Sequence, residues 1–171
     1  MRIFLTGFMA AGKSTVGRLL ADRAELGFVD LDMLIEERAG REVWRIFEAV
    51  GEGGFRGLER LALEEVVARD DVVVATGGGT MVAAANRQLM RETGVTVWLD
   101  PPFEVLSARL RDSERPARPL FLDSEQARDL YLDRRSVYER ADLRIEIGAD
   151  EPPEEVASRI LGQLSKTPCA T

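Results

Sequence analysis

The 171-residue sequence contains no histidine. That absence excludes every mechanism built on a Ser-His or Cys-His pair and leaves Asp, Glu, Lys, Arg and backbone amides to carry any chemistry. Cysteine occurs once, as Cys169 in the terminal SKTPCAT, so there is neither a disulfide framework nor a thiol cluster to hold zinc. No apolar run approaches the roughly 20 residues needed to span a bilayer. The opening MRIFLTGFMAAGKS has too short an apolar segment for a secretory signal, so the expected compartment is the cytoplasm, with no membrane partner. Basic residues are outnumbered 30 to 23, for a net charge of −7, which argues against a long polyanion and hence against a nucleic-acid partner. A small anion in a local pocket is still allowed. Lysine itself is almost missing: among the 23 basic residues only Lys13 and Lys166 are lysine. Lys13 therefore stands where a compact ammonium, not a planar fork, is wanted.

What remains is ordinary for a globular chain, with 45% hydrophobic and 31% charged residues. The length suits one domain, expected over 1–165, with 166–171 as a disordered tail. RIFLT at 2–6, FVD at 28–30, VVVAT at 72–76, VTVWL at 95–99 and LRIEI at 143–147 read as strands. Helices are expected from Lys13 to Glu25, in LIEERAG and VWRIFEAV, and from Phe55 to Arg69, where Leu58, Leu61, Ala62 and Val66 fall at helical spacing. Further helices are expected in AAANRQLMRETG, closed by Gly94, then at about 103–111, from about Gln126 to Ala141, and from Pro152 or Pro153. Strands alternating with helices imply a parallel sheet covered on both faces, with ligands at the carboxyl ends of its strands.

GFMAAGKS, Gly7 to Ser14, follows the first strand and opens the first helix, and matches the phosphate-loop pattern G-x-x-x-x-G-K-[ST] in its confirming context. Such a loop turns successive backbone N–H groups toward phosphate oxygens, with the helix N-terminus adding a positive dipole. Lys13 is then expected at the β- and γ-phosphates and Ser14 on Mg²⁺, within a nucleotide contact set of Ala10, Ala11, Gly12, Lys13, Ser14 and Thr15. ATP with Mg²⁺ is the implied cofactor pair. In FVDLD a single strand would put Asp30 and Asp32 on one face, Asp30 toward the hydrated metal and Asp32 toward a substrate hydroxyl proton. The same pair also reads as a helix cap with Asp32 at the N-cap and Asp30 a solvated strand end. In ATGGGT the triplet Gly77, Gly78, Gly79 lets backbone approach a ligand with no side chain in the way, or else forms a tight turn.

GFMAAGKSTVGRLLA, FVDLDMLIEE, IFEAVGEGGFRGLE, VVATGGG, RPLF at 118–121 and RRSVYERAD at 134–142 together closely resemble the shikimate kinase family, in its order and spacing from Arg2 to about Ile160. The resemblance implies a P-loop small-molecule kinase fold, a five-stranded parallel sheet in order 2-3-1-4-5 with helices on both faces and a mobile lid at about 112–124. It implies transfer of the ATP γ-phosphate to the 3-hydroxyl of shikimate, a step of aromatic amino-acid biosynthesis. By that resemblance Asp32, Arg56, Gly77, Gly78, Gly79 and Arg134 contact shikimate. Ser14 and Asp30 lie near Mg²⁺, and Arg118 is the lid arginine over the transferring phosphate. Lys13, Asp32 and Arg118 form the catalytic set, Arg118 and Arg111 completing the nucleotide contacts, with Arg109 as the other choice against adenine. Shikimate, a carboxylate with neighbouring hydroxyls, suits arginine forks at one end and a carboxylate acceptor at the other.

Three departures stand out. Ala10 occupies a position where the family often has glycine, which is expected to stiffen the phosphate loop. Arg-Pro occurs twice, at 115 and 118, leaving the lid register open by three residues. Arg134 and Arg135 are adjacent, and Arg134 is chosen because it precedes Tyr138 by four residues, one helical turn. The competing expectations are another small-molecule kinase of this fold, acting on gluconate or a nucleoside monophosphate, and a nucleotide-binding regulatory module without transfer. A monomer is expected.

Overall fold

The computed structural model describes residues 1–112 and 124–166. The expected lid arginine Arg118, its alternative Arg115 and the tail beyond Lys166 lie outside the described residues. Strand β1, Arg2–Thr6, is followed by α1, Lys13–Ala24, and then β2, Gly27–Asp30. Helices α2, Leu31–Ala39, and α3, Val43–Val66, lead into β3, Val72–Ala75, and a single 3-10 turn, Thr80–Val82. Helix α4, Ala84–Thr93, precedes β4, Val95–Asp100, and α5, Phe103–Arg111. Helix α6, Ser124–Tyr138, β5, Leu143–Glu146, and α7, Pro153–Leu164, complete the chain.

All neighbouring strands are parallel, in the order β2-β3-β1-β4-β5. Strand β1 is central because its residues are apolar on both sides: Ile3, Phe4 and Leu5 are fully buried, as helices cover both faces. Phe4 is level with Val74 of β3 and with Thr96 of β4, so the carboxyl ends of β1, β3 and β4 lie side by side. Each fully buried aliphatic or aromatic chain here stabilises the fold by about 1.5–3 kcal/mol. The loop after β1 thus opens between strands that continue the chain in opposite directions across the sheet, where open α/β sheets form their binding crevice.

Two elements differ from the sequence expectation in ways that matter for the site. Helix α2 begins at Leu31, not near Met33, so Asp30 and Asp32 do not share a strand face. Asp30, not Asp32, is the N-cap, its Oδ1 accepting from the amides of Asp32 at 3.0 Å and Met33 at 3.2 Å. The reason is local: an Asp at the end of a strand satisfies two orphan amides of the following turn, and the chain coils two residues earlier than the hydrophobic pattern alone suggests. Helix α3 contains the two expected helical stretches end to end, broken at Gly51, where φ 68 and ψ −178 are open to glycine. The break lets Phe47 stack on Phe55 with ring centroids 4.3 Å apart. Gly94 closes α4 with extended backbone, not a left-handed cap; its missing side chain leaves room for Arg2 and Phe4 of β1.

Candidate active site

The phosphate loop is folded on itself around Lys13. Gly7 has φ 135, and a Cβ there would strike the Leu99 carbonyl at the end of β4, so glycine is required twice over. Gly12, with φ 91, is the N-cap of α1. Ala10 also lies in the left-handed region, φ 59, a conformation that costs a residue with a Cβ about 1 kcal/mol and that glycine adopts freely. The Lys13 ammonium is largely buried and donates to the carbonyls of Gly7 at 2.9 Å and Phe8 at 2.7 Å. Ser14 and Thr15 are exposed in the first turn of α1, and Ala11 is buried beneath the loop. Of the two arginines considered for adenine, Arg109 donates to the Ala10 carbonyl at 3.2 Å, whereas Arg111 is exposed at the last residue of α5.

The capping of α2 sorts the two aspartates by role. While one oxygen of Asp30 caps the helix, the other accepts from Ser14 Oγ at 2.5 Å, joining a hydroxyl and a carboxylate at the mouth of the phosphate loop. An oxygen-only pair of this kind fits Mg²⁺, which keeps most of its water and takes one or two protein oxygens beside substrate phosphates. Asp32, one step into the helix, is aimed at the glycine triplet: its Oδ1 would be 3.1 Å from a Cβ at Gly77.

The triplet is where the separate motifs meet. Gly78 lies against the phosphate loop, 3.5 Å from a built Cβ to Met9 N and 3.7 Å to Gly7 O. Its carbonyl accepts from Arg134 Nη1 at 3.3 Å and from the Tyr138 hydroxyl, both on α6. At Gly79 a Cβ would stand 2.6 Å from Arg56 Cζ, and at Gly77 it would collide with Glu59 Oε1. Asp32, Arg56, Arg134 and the phosphate loop are therefore gathered around three consecutive residues at the end of β3. The space that glycine leaves at Gly77 and Gly79 is taken by Glu59 and Arg56 of α3, where the sequence reading expected a ligand.

Arg134 is 7% exposed, in a stripe of α6 formed with Ala127, Tyr131 and Tyr138 that faces the core. Burial there fixes its guanidinium against the Gly78 carbonyl. Arg135 points elsewhere, lying over the Trp98 ring at 5.8 Å and bonding Tyr131 Oη at 3.2 Å and Glu139 at 3.3 Å. Burial pushes the Tyr138 hydroxyl up to about 12, with the Arg134 charge working against it. Around Arg56, burial lowers the pKa, but Glu59 at 2.5 Å and Glu52 at 3.1 Å outweigh it and raise it above the ordinary arginine value.

Sequence reasoning missed Glu59, although a signal was there. It follows Arg56 by three residues in a helix, and Glu52 precedes Arg56 by four, the spacings at which helical ion pairs form. Nothing in the pattern disclosed that Glu59 is fully buried.

The sheet order and the phosphate loop define a P-loop kinase fold, with Asp32, Arg56 and Arg134 gathered at the crevice beside that loop. The sequence pattern of the shikimate kinase family matches residues 9–165, and the chain belongs to that family. It is 41% identical over 167 residues to the shikimate kinase of Aquifex aeolicus, 96% of each chain being covered. The structure of shikimate kinase from Acinetobacter baumannii in complex with shikimate superposes with a TM-score of 0.88 at 36% identity, covering 98% of this chain and 94% of that one. A gluconokinase from Sinorhizobium meliloti, at 17% identity and a TM-score of 0.62 over 96% of this chain and 91% of its own, shares the fold alone.

Proposed function

We propose that the chain transfers the γ-phosphoryl group of ATP to the 3-hydroxyl of shikimate, as a monomer in the cytoplasm, without nucleic-acid or membrane partners. The observation that carries the reading is the glycine triplet, against which the phosphate loop, Asp32, Arg56 and Arg134 all pack.

In this reading Arg56 and Arg134 hold the shikimate carboxylate by guanidinium forks, which orients the ring and its hydroxyls. Asp32 takes the proton of the 3-hydroxyl as that oxygen bonds to the γ-phosphorus. The bond from phosphorus to the β,γ-bridging oxygen breaks, and ADP leaves. Lys13 turns from the Gly7 and Phe8 carbonyls to the β- and γ-phosphates, and the N-terminus of α1 faces the same oxygens. When bound beside Ser14 and Asp30, Mg²⁺ neutralises phosphate charge. Arg109, beside Ala10 and Gly12, is better placed toward the nucleotide than Arg111. The role of Arg118 over the transferring phosphate, with Arg115 as its rival, rests on the family resemblance.

A coupled ADP-release assay offering shikimate, gluconate and nucleoside monophosphates side by side tests the proposal. ADP release dependent on shikimate, with phosphorus NMR placing the ester on the 3-oxygen, is the expected result. Turnover with one of the others alone, or with none, overturns it.

A further inference from the structure

A fully buried carboxylate is costly unless both oxygens find partners. Glu59 meets that demand from two directions. Its Oε2 takes Arg56 Nη1 at 2.5 Å, and its Oε1 takes the Thr80 hydroxyl at 2.8 Å. Thr80 is itself fully buried, directly after the glycine triplet, in the 3-10 turn that its amide closes onto the Gly77 carbonyl at 3.1 Å. The Thr80 carbonyl is held in turn by Asn86 Nδ2 at 3.0 Å, and Asn86, 3% exposed in α4, accepts from Arg60 Nη1 at 3.4 Å. A continuous polar chain therefore runs from α4 through Thr80 and Glu59 to Arg56.

We infer that Thr80 is a positioning residue for substrate recognition: through Glu59 it fixes the Arg56 guanidinium in the orientation that receives the shikimate carboxylate, without touching substrate itself. The inference rests on the functional reading above. Without the Thr80 bond, one oxygen of Glu59 loses its donor, and the carboxylate turns about its terminal torsion, taking the guanidinium bonded to its other oxygen with it. Planar, two-point recognition is sensitive to such a rotation, because the fork must meet both acceptor oxygens at once. Nucleotide binding, at the phosphate loop that packs on Gly78, does not depend on that angle. Thr80 thus acts on one substrate and spares the other.

Steady-state kinetics of the full chain, with both substrates varied, test the inference on wild type, Thr80→Ser and Thr80→Val, a near isostere that lacks the hydroxyl. Thr80→Val is expected to raise the KM for shikimate by about tenfold, the scale of one hydrogen bond to a charged group, with the KM for ATP unchanged. Thr80→Ser, which keeps the donor, restores the wild-type value. In a Glu59→Gln background the further effect of Thr80→Val shrinks to less than about threefold, as expected for residues acting in series. If Thr80→Val does not accumulate as folded protein, Thr80→Ala carries the same comparison. Wild-type turnover of shikimate with an unchanged shikimate KM in the hydroxyl-free variant overturns the inference alone. So does an equal rise in both KM values, the mark of a merely structural role. A wild-type protein that shows no shikimate-dependent turnover overturns the functional reading and this inference together.

Discussion

Asp30 and Asp32 have the same side chain two positions apart, yet the backbone gives them different work. Asp30 is occupied by the amides of Asp32 and Met33 and by Ser14 Oγ, whereas Asp32 is carried round the first turn of α2 toward Gly77. Asp32→Asn keeps the shape and removes the proton acceptor. Turnover should fall by roughly 10²–10⁴, the usual contribution of a positioned general base, while ATP affinity measured by calorimetry stays within about twofold. Undiminished turnover would reject Asp32 as the acceptor. The two adjacent arginines of α6 can be separated in the same way. Arg134→Ala should raise the KM for shikimate on the order of a hundredfold, because it removes one half of a buried charge recognition. Arg135→Ala, which among the described residues loses contacts to Trp98, Tyr131 and Glu139, should leave that KM nearly unchanged. Reversal of that order would exchange their assignments. That Arg134 and not Arg135 shares the core-facing stripe of α6 with Tyr138 was legible in the sequence from their one-turn spacing. The placement of the aspartates was only half legible, since a pattern of alternating residues does not disclose at which of them the strand becomes a helix.

Among the elements, the glycine triplet and α3 are two halves of one fit. Gly79 has φ −111 and ψ −3, which any residue adopts, so its glycine answers a need for space and not for conformation. A Cβ there displaces the Arg56 guanidinium. Gly79→Ala should therefore raise the KM for shikimate with little change in that for ATP, and equal KM values for shikimate in the two proteins would count against the fit. Gly57 offers the contrast. It lies in the interior of α3, with nothing within 4 Å of an added Cβ, so Gly57→Ala should stabilise the protein by up to about 1 kcal/mol in urea unfolding. A loss of stability there would mean that the helix needs its glycine for a reason outside its own geometry. From sequence, the triplet announced that something approaches closely. It did not say what, because the answer lies in Arg56 and Glu59, about twenty residues away on a helix whose buried face includes charged positions.

At the scale of the molecule, the sheet was readable because its strands are apolar runs bounded by turns, and because the strand order follows from a motif set spread along nearly the whole chain. The long-range polar links were not readable, since a hydrogen bond such as that between Tyr138 and Gly78 carries no periodic signature. That link binds α6 to the turn after β3, and it has a consequence for stability at alkaline pH. Burial places the folded-state pKa of Tyr138 at about 12, against about 10 for a phenol in the unfolded chain. Below pH 10 the group is neutral in both states and its contribution is fully present. As pH rises from about 10 to about 12, the unfolded chain binds fewer protons than the folded one, so stability falls through this window by on the order of 2–3 kcal/mol from this residue. Tyr138→Phe removes the titration along with the hydrogen bond, and the loss of the bond costs about 1 kcal/mol at every pH. Urea midpoints measured from pH 9 to 12 should start lower in the variant and decline less steeply, so that the two curves cross within this window and the wild type is the less stable at its alkaline end. Tyr131, whose pKa is also raised by burial, titrates in both proteins and drops out of the difference. Parallel curves would show that the Tyr138 hydroxyl ionises as readily in the folded protein as in the unfolded one, and that α6 is not sealed against the sheet where Arg134 depends on it.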